Sequence, residues 1–350
     1  MSLVGKKMAT SNKALGEARR NKKDEFYTQL PDIENELRHY TDHFQDKTVL
    51  CNCDDPFESN FFRFFALNFN RLGLKKLIAT CYSGSPITGT QFSLFDDTPE
   101  QTRTPYKAIV TTVHDTSGDG GIDMFDIAEL FRNGENSLEQ LNGDGDFRSS
   151  ECLNLLKEAD IVVTNPPFSL FREYIELLIK ENKKFLIIGN KNAITYKGVF
   201  QLLMSGKVWI GHRNINQDMW LEVPEGEKFE KIVNGKKLKH IMACWYTNLD
   251  HNKRHEMLPL YKKYSPEEYP NYDNYDAIDV SKTELIPCDY KGVMGVPVTF
   301  FDKYCPEQFE ILGCNRGVDQ DPNGIYGRSS YLNGKETFKR IFIRNKHPEE

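Results

Sequence analysis

Residues 161–189, IVVTNPPFSLFREYIELLIKENKKFLIIG, decide the fold. The β-branched run Ile161–Thr164 predicts a buried strand, and the short apolar run KFLIIG (184–189) predicts another. Between them, LFREYIELLIKEN (170–182) has apolar residues at helical spacing. Short apolar strands that alternate with amphipathic helices are typical of a parallel sheet covered on both faces. The segment therefore predicts an α/β fold with a doubly wound, mostly parallel sheet.

The same rhythm occurs earlier in the chain. KTVLCNC (47–53) predicts a strand, SNFFRFFALNFNRLG (59–73) a helix capped by its first serine, and LKKLIATCYS (74–83) a second strand. Residues 85–121 then interrupt the alternation, so we predict an insertion there. Its YKAIVTTV core (106–113) has the composition of an extra strand.

The pattern changes in the second half of the chain, where antiparallel strands are predicted. KFEKIV (228–233) and KKLKHIMACWYTNL (236–249) flank Asn234-Gly235, a strong signal for a tight hairpin turn. Tyr, Pro, Asp and Asn become frequent after Asp250, and YLNGKETFKRIFIRN (331–345) predicts another hairpin. We therefore expect a larger lobe at 1–250 and a smaller mixed, mostly β lobe at 251–350.

Composition excludes several classes of protein. With 350 residues, 39% of them hydrophobic, the chain can bury a large core, while the mean hydropathy of -0.57 argues against an integral membrane protein. The first residues lack the apolar block of a secretory signal, so a cytoplasmic protein is expected. The eight cysteines are not spaced as a zinc site or a disulfide framework. A net charge of -6 mildly opposes a nucleic-acid partner, unless basic residues cluster locally.

The motif Asn165-Pro166-Pro167-Phe168 follows the first strand of the opening segment. Ligands of open α/β sheets bind at the carboxyl ends of the strands. The consecutive prolines stiffen the turn, and the Asn165 side chain and Pro166 carbonyl can both accept hydrogen bonds from an amino group. Phe168 offers a face for a flipped base. A Pro-Pro turn can also be only a loop device, but the position of this one predicts methyl transfer to an amino group.

Segments along nearly the whole chain resemble the EcoRI-type adenine-specific DNA methyltransferases. They stand in the family order: KKDEFYTQL (22–30), CNCDDPFESNFF (51–62), VVTNPPFSLF (162–171), ACWYTNLD (243–250) and GVPVTFFDKYCPEQFEILG (295–313). The last two are more specific to this family than the catalytic tetrapeptide, which many amino-methyltransferases share.

The resemblance implies a class I S-adenosylmethionine-dependent methyltransferase that acts on adenine N6 in double-stranded DNA. Residues 1–250 would bind the cofactor and carry the chemistry, and residues 251–350 would recognise the DNA target. The implied biology is restriction-modification, or a phage or mobile element, and the implied state is a monomer that needs no metal. Alternatives remain open: the same fold acting on cytosine N4, RNA or a protein glutamine, or a non-catalytic DNA-binding relative.

The resemblance also implies a cofactor site. Phe26-Tyr27-Thr28 matches the segment that holds the methionine part, and Asp146-Phe147 matches the pair that holds the adenine. The turn Asp54-Asp55-Pro56 stands where related enzymes often have glycines, so its carboxylates, or donors near Ser59, are expected to contact the cofactor instead. Asn165 is expected to contact both the cofactor and the target base. No residue is assigned to the ribose.

Basic residues beside the Asn234-Gly235 turn are candidates for phosphate contacts: Lys236, Lys237, Lys239 and His240. A solvated hairpin face explains them equally well.

Overall fold

The computed structural model describes residues 27–53, 59–81, 105–217, 219–223, 226, 228–315 and 328–350. The chain divides into two compact units. Unit 1 comprises Met1–Gly189 and Met219–Ile241, and unit 2 comprises Asn190–Asp218 and Met242–Glu350.

The α-helices are α1 Leu30–Leu37, α2 Asn60–Leu67, α3 Phe69–Leu72, α4 Met124–Arg132, α5 Ser150–Glu158, α6 Phe171–Lys180 and α7 Val199–Met204. Short 3-10 helices occur at Thr41–His43, Lys191–Thr195, Asn252–His255, Thr283–Leu285 and Val298–Lys303. The first strands are β1 Thr48–Asn52, β2 Lys76–Thr80, β3 Tyr106–Val110, β4 Ser137–Gln140, β5 Ile161–Thr164, β6 Lys184–Asn190, β7 Trp209–Ile210 and β8 Met219–Glu222. The remaining strands are β9 Lys231–Val233, β10 Lys236–Ile241, β11 Ala243–Thr247, β12 Ile278–Asp279, β13 Met294–Pro297, β14 Phe309–Cys314, β15 Tyr331–Leu332, β16 Lys335–Glu336 and β17 Arg340–Asn345.

The main sheet of unit 1 has the strand order β4-β3-β2-β1-β5-β6. Strands β2, β1, β5 and β6 are parallel, β3 pairs with β2 in antiparallel orientation, and β4 pairs with β3 in antiparallel orientation. The predicted extra strand inside 85–121 is therefore confirmed as β3. Its neighbour β4 has an intermediate-to-exposed burial pattern, and the sequence did not indicate it.

The strand order reverses direction between β1 and β5. From β1 the chain moves to β2 on one side, and from β5 it moves to β6 on the other side. Because parallel crossovers are almost always right-handed, the two connections lie on opposite faces of the sheet. This is the doubly wound arrangement that the sequence predicted, and its switch point is the usual place for a ligand.

Local signals explain why these elements form where they do. Helix α2 begins at Ser59, whose Oγ accepts from the backbone N of Phe61 (3.2 Å) and Phe62 (3.4 Å). The turn after α3 is Gly73, whose φ of 60° is left-handed. Strands β1 and β5 are buried along their whole length, as expected of central parallel strands.

Unit 1 also contains a three-stranded antiparallel sheet of order β8-β10-β9. The predicted turn between β9 and β10 is present, with φ of 49° at Asn234 and 80° at Gly235, as in a type I′ turn. The segment 236–249, predicted as one side of the hairpin, is divided at Met242. Its first part, β10, belongs to unit 1 and its second part, β11, to unit 2.

Unit 2 is mostly β outside its short helices. Strand β11 pairs with β7, a four-stranded sheet has the order β12-β13-β17-β14, and β15 and β16 form the predicted second hairpin. A buried ion pair, Arg340 Nε to Asp279 Oδ1 at 2.8 Å, lies within the four-stranded sheet. Among the described residues, no helix is long and apolar enough to cross a membrane. The functional division at residue 250 stays a prediction, since the compact units are defined by packing alone.

Candidate active site

The candidate site lies at the switch point of unit 1, where β1 and β5 end side by side. The two strands are in register from Val49 with Ile161. At their carboxyl ends, the Thr164 hydroxyl donates a hydrogen bond to the backbone oxygen of Asn52. Asn165 is the next residue, and it is buried. The catalytic motif predicted from sequence is therefore at the edge where ligands of such sheets bind.

The loop after Asn165 closes as a turn into helix α6. The Leu170 backbone N donates to Pro167 O at 2.9 Å, and the Phe171 N donates to Phe168 O at 3.4 Å. Pro166 is buried and Phe168 is half-buried. The loop is therefore tied to the first turn of the following helix.

The start of helix α6 is fixed against the sheet by a close approach at Gly189. A Cβ atom at Gly189 would lie 2.3 Å from the ring of Phe171. Only a residue without a side chain lets the buried ring pack against β6 in this way. Packing against β6 thus positions the start of α6, which directly follows the predicted catalytic loop.

Tyr174 connects helix α6 to the end of β1. Its hydroxyl donates to the side-chain oxygen Oδ1 of Asn52. Burial raises the pKa of Tyr174 well above its ordinary value, so the phenol stays neutral and remains a donor. The ring of Phe147 packs edge-on against that of Tyr174, with centroids 5.0 Å apart. Phe147, one of the predicted adenine-binding residues, is thereby linked through Tyr174 to Asn52 at the end of β1.

Asp146, the other predicted adenine-binding residue, is half-buried and held by a neighbour. Arg148 donates to both of its carboxylate oxygens, from Nε at 2.8 Å and from Nη2 at 2.6 Å. The same guanidinium lies 3.3 Å from Glu173 on α6. A carboxylate has further lone pairs, so the pairing orients Asp146 without using its whole acceptor capacity.

The loop that carries Asp146 approaches the end of β2. Gly145 has φ of 77°, and a Cβ atom there would lie 2.0 Å from the backbone oxygen of Cys81. Glycine is required on both counts. The predicted adenine-binding loop is thus placed beside the second strand, next to the switch point.

Tyr27 and Thr28, predicted to hold the methionine part of the cofactor, are fixed in unit 1 by backbone and side-chain hydrogen bonds. Tyr27 forms an antiparallel bridge with Glu222 of β8, with backbone hydrogen bonds of 3.0 and 2.9 Å. The Thr28 carbonyl accepts from Asn60 Nδ2 at 2.7 Å, at the start of helix α2. The Thr28 hydroxyl oxygen is buried, and among the described residues it has no hydrogen-bond partner. A buried polar atom of this kind suits a ligand contact.

Several predicted cofactor residues lie outside the described ranges: Phe26, Asp54, Asp55 and Pro56. Cys53, which precedes Asp54 in the chain, has φ of 115°, which is rare for any residue with a side chain. Backbone strain of this kind is concentrated at functional sites. Within the described part of the chain, no cluster of His, Cys, Asp or Glu is arranged to hold a metal ion.

Sequence reasoning did not identify Asn52, Tyr174, Arg148 or Gly145 as parts of the site. The signal for Asn52 was available, since it is a polar residue at the end of a buried strand. Tyr174 sits on the apolar face of α6 and looks like an ordinary core residue. The role of Gly145 follows only from its distance to Cys81, which no local pattern reveals.

The comparisons with known proteins concern almost the entire chain. The family model described as adenine-specific methyltransferase EcoRI matches residues 14–346. The Type II methyltransferase M.EcoRI of Escherichia coli is 48% identical over 344 residues, which cover 96% of this chain and 97% of the relative. The Type II methyltransferase M.MgeORF184P of Mycoplasma genitalium is 36% identical, covering 93% and 97%. The Type II methyltransferase M.MpnI of Mycoplasma pneumoniae is 35% identical, covering 94% and 97%. No solved structure is similar enough to count as a match.

Proposed function

Because this chain belongs to the family of the EcoRI-type adenine-specific methyltransferases, we propose that it transfers a methyl group from S-adenosylmethionine to N6 of an adenine in double-stranded DNA, with Asn165-Pro166-Pro167-Phe168 as its catalytic loop. The chain is an adenine-specific DNA methyltransferase of the restriction-modification type. The identity of the methyl donor, the class I assignment of the fold and the residue roles are the parts that we propose.

Three features of unit 1 support a class I cofactor site. The switch point between β1 and β5 is where such folds bind their ligand. The buried Thr28 hydroxyl suits a carboxylate, and Phe147 offers a ring beside the loop fixed by Gly145. In our proposal Tyr27 and Thr28 face the methionine part and Asp146 and Phe147 the adenine.

The catalytic loop needs only to position and polarise the target amine. S-adenosylmethionine, when bound, supplies an electrophilic methyl group on a sulfonium sulfur. Asn165 Oδ1 and the Pro166 carbonyl accept hydrogen bonds from the target amine, which orients its nitrogen lone pair for attack on that methyl group. On transfer, the new N–C bond would replace the bond between the methyl group and the cofactor sulfur, and the amine nitrogen would then lose a proton to solvent. The Asn165 amide is neutral throughout and is not a base.

Positioning supplies much of the rate. Holding two reacting groups in near-attack geometry is worth up to about 7–11 kcal/mol of the barrier. The prolines, the turn into α6 and the contacts of Asn52 limit the motion of the loop, as that role requires. Phe168 stacks on the flipped adenine in this proposal.

The observation that carries the proposal is the position of Asn165 directly after β5, at the switch point, in a chain of this family. The test is incubation of the purified protein with tritiated S-adenosylmethionine and duplex DNA of varied sequence. We expect tritium in the DNA. Tritium in a protein or in RNA, with none in any duplex, would overturn the proposal.

A further inference from the structure

The hairpin formed by β9 and β10 exposes apolar side chains next to lysines. Phe229, Ile232 and Val233 are 44%, 58% and 43% exposed, and they lie within a few residues of one another. Exposed large apolar side chains that are gathered together mark an interaction surface more often than single exposed ones do. We name residues 228–241 the basic hairpin.

The charge of the basic hairpin is opposite to that of the chain. Residues 228–241 contain five lysines and one glutamate, whereas the whole chain has a net charge of -6. Lysine is depleted in protein–protein interfaces. Phosphate groups, in contrast, are the usual partners of clustered lysines. The composition therefore favours a nucleic-acid backbone over another protein as the partner.

Aromatic rings lie among these charges. Lys231 Nζ is 3.5 Å from the centre of the Trp220 ring, and the rings of Trp220 and His240 are 5.5 Å apart. Trp220 and His240 are cross-strand partners of β8 and β10, so they share one face of the small sheet. Basic side chains interleaved with aromatic rings are typical of surfaces that bind nucleic acids.

The basic hairpin is joined to the cofactor side of unit 1. Strand β8 pairs with β10, and its residue Glu222 forms the bridge with Tyr27. Thr28 follows, and its carbonyl accepts from Asn60 at the start of α2. A DNA strand held by the hairpin is therefore held by the same unit that carries the proposed cofactor and catalytic residues.

We propose that the basic hairpin binds the phosphate backbone of DNA. This inference rests on the proposed function for the identity of the partner. It also accounts for DNA binding by a chain of negative net charge, because a local cluster of lysines replaces a generally basic surface.

The test measures how the affinity for DNA depends on salt. Fluorescence anisotropy of a labelled mixed-sequence duplex gives the dissociation constant over a salt series, for the wild type and for Lys228→Gln/Lys237→Gln. Both lysines belong to the basic hairpin, and the variant leaves intact Lys236, which pairs with Glu222 at 2.7 Å beside the bridge to Tyr27. Each phosphate contact contributes about 0.9 to the slope of log K against log salt. We expect the salt dependence to become shallower: the magnitude of the slope should decrease by about two in the double variant and by about one in each single variant.

The matched control is Lys75→Gln/Lys157→Gln, which removes the same charge elsewhere in unit 1. Both lysines are exposed, one just before β2 and the other near the end of the helix that leads into β5. The control should keep the wild-type slope. Equal slopes for the hairpin variant and the wild type, or an equal fall in the control, would overturn the inference.

The failure of this inference is distinguishable from that of the proposed function. If the wild type methylates DNA while the slopes coincide, only the hairpin inference is overturned. If the slopes differ while no duplex is methylated, the hairpin still binds DNA and the proposed function fails.

Discussion

The Tyr174 hydroxyl donates a hydrogen bond to the side-chain oxygen of Asn52. Tyr174 belongs to α6, which follows the proposed catalytic loop, and Asn52 ends β1 at the switch point of the sheet. The Thr164 hydroxyl donates a second hydrogen bond, to the backbone oxygen of Asn52. These contacts hold the loop and the end of β1 in one fixed geometry. Methyl transfer from a bound cofactor to a bound base requires such a fixed geometry.

Replacement of Tyr174 by Phe tests this positioning. Tyr174→Phe keeps the ring that packs on Phe147 and removes only the donor. We expect the KM for S-adenosylmethionine to rise several-fold, with a smaller fall in kcat, and the free energy of unfolding to fall by about 1 kcal/mol. The control is Tyr246→Phe in unit 2, where a buried hydroxyl donates to Asn190 O at 2.8 Å. It should lose similar stability and keep the wild-type KM; equal effects on KM would show that Tyr174 is only structural.

The buried hydroxyl of Thr28 gives a second prediction. Thr28→Val removes the oxygen and keeps the shape, so cofactor binding measured by calorimetry should weaken. The free energy of unfolding should not fall, because in the described structure this oxygen has no partner to lose. Thr195→Val is the control, since Thr195 Oγ1 donates to Asn192 O at 3.2 Å and its loss should cost stability without affecting the cofactor. Unchanged cofactor affinity in Thr28→Val would remove this residue from the site.

Two glycines of one loop should respond differently to alanine. Gly145→Ala places a methyl group against Cys81 O and strains a backbone with φ of 77°, so the loop that carries Asp146 must move. We expect weaker cofactor binding and a lower melting temperature. Gly143→Ala meets nothing within 4 Å and should behave like the wild type in both measurements. The placement of the loop would be wrong if both variants matched the wild type.

The stability of unit 2 should depend on pH through His251. Burial, with help from Lys253 and Arg254, lowers the pKa of His251 to about 4, against the opposing effects of Ile210 O and Asp250. The unfolded chain takes up this proton near pH 6.5, whereas the folded chain does so only near pH 4. Stability is therefore lost as pH falls through this window, by about 3 kcal/mol in all, and no such loss occurs above it.

Urea unfolding at about pH 7 and about pH 5 measures the effect in the wild type and in His251→Gln. The variant should lose less stability between the two conditions. His255 contributes with the opposite sign, because Asp250 raises its pKa, but it is present in both proteins and cancels in the comparison. An identical pH dependence of the two proteins would contradict the assignment.

Much of the fold of unit 1 could be predicted because its signals are local. The apolar runs of β1 and β5, the cap at Ser59 and the Asn234-Gly235 turn each depend on a few neighbouring residues. The break at Met242 could not be predicted, since both flanking segments have strand composition and no glycine or proline separates them.

Contacts between residues far apart in the chain could not be predicted from the sequence. Asn165 was predicted from its motif, but the bond between Tyr174 and Asn52 joins residues 122 positions apart. The pairing of Asp146 with Arg148 is local, yet it depends on side-chain conformations that Glu173 on another helix helps to set. Family likeness supplied the remaining candidates, and for Tyr27, Thr28 and Phe147 the structure adds specific contacts.

The central claim is methylation of adenine N6 through Asn165. Its most direct test is mass spectrometry of nucleosides from duplex DNA incubated with S-adenosylmethionine and either the wild type or Asn165→Ala. We predict N6-methyladenine from the wild type and a rate at least about 100-fold lower for the variant, as for other losses of a single polarising group. N4-methylcytosine as the product, or an equal rate for the variant, would contradict the account.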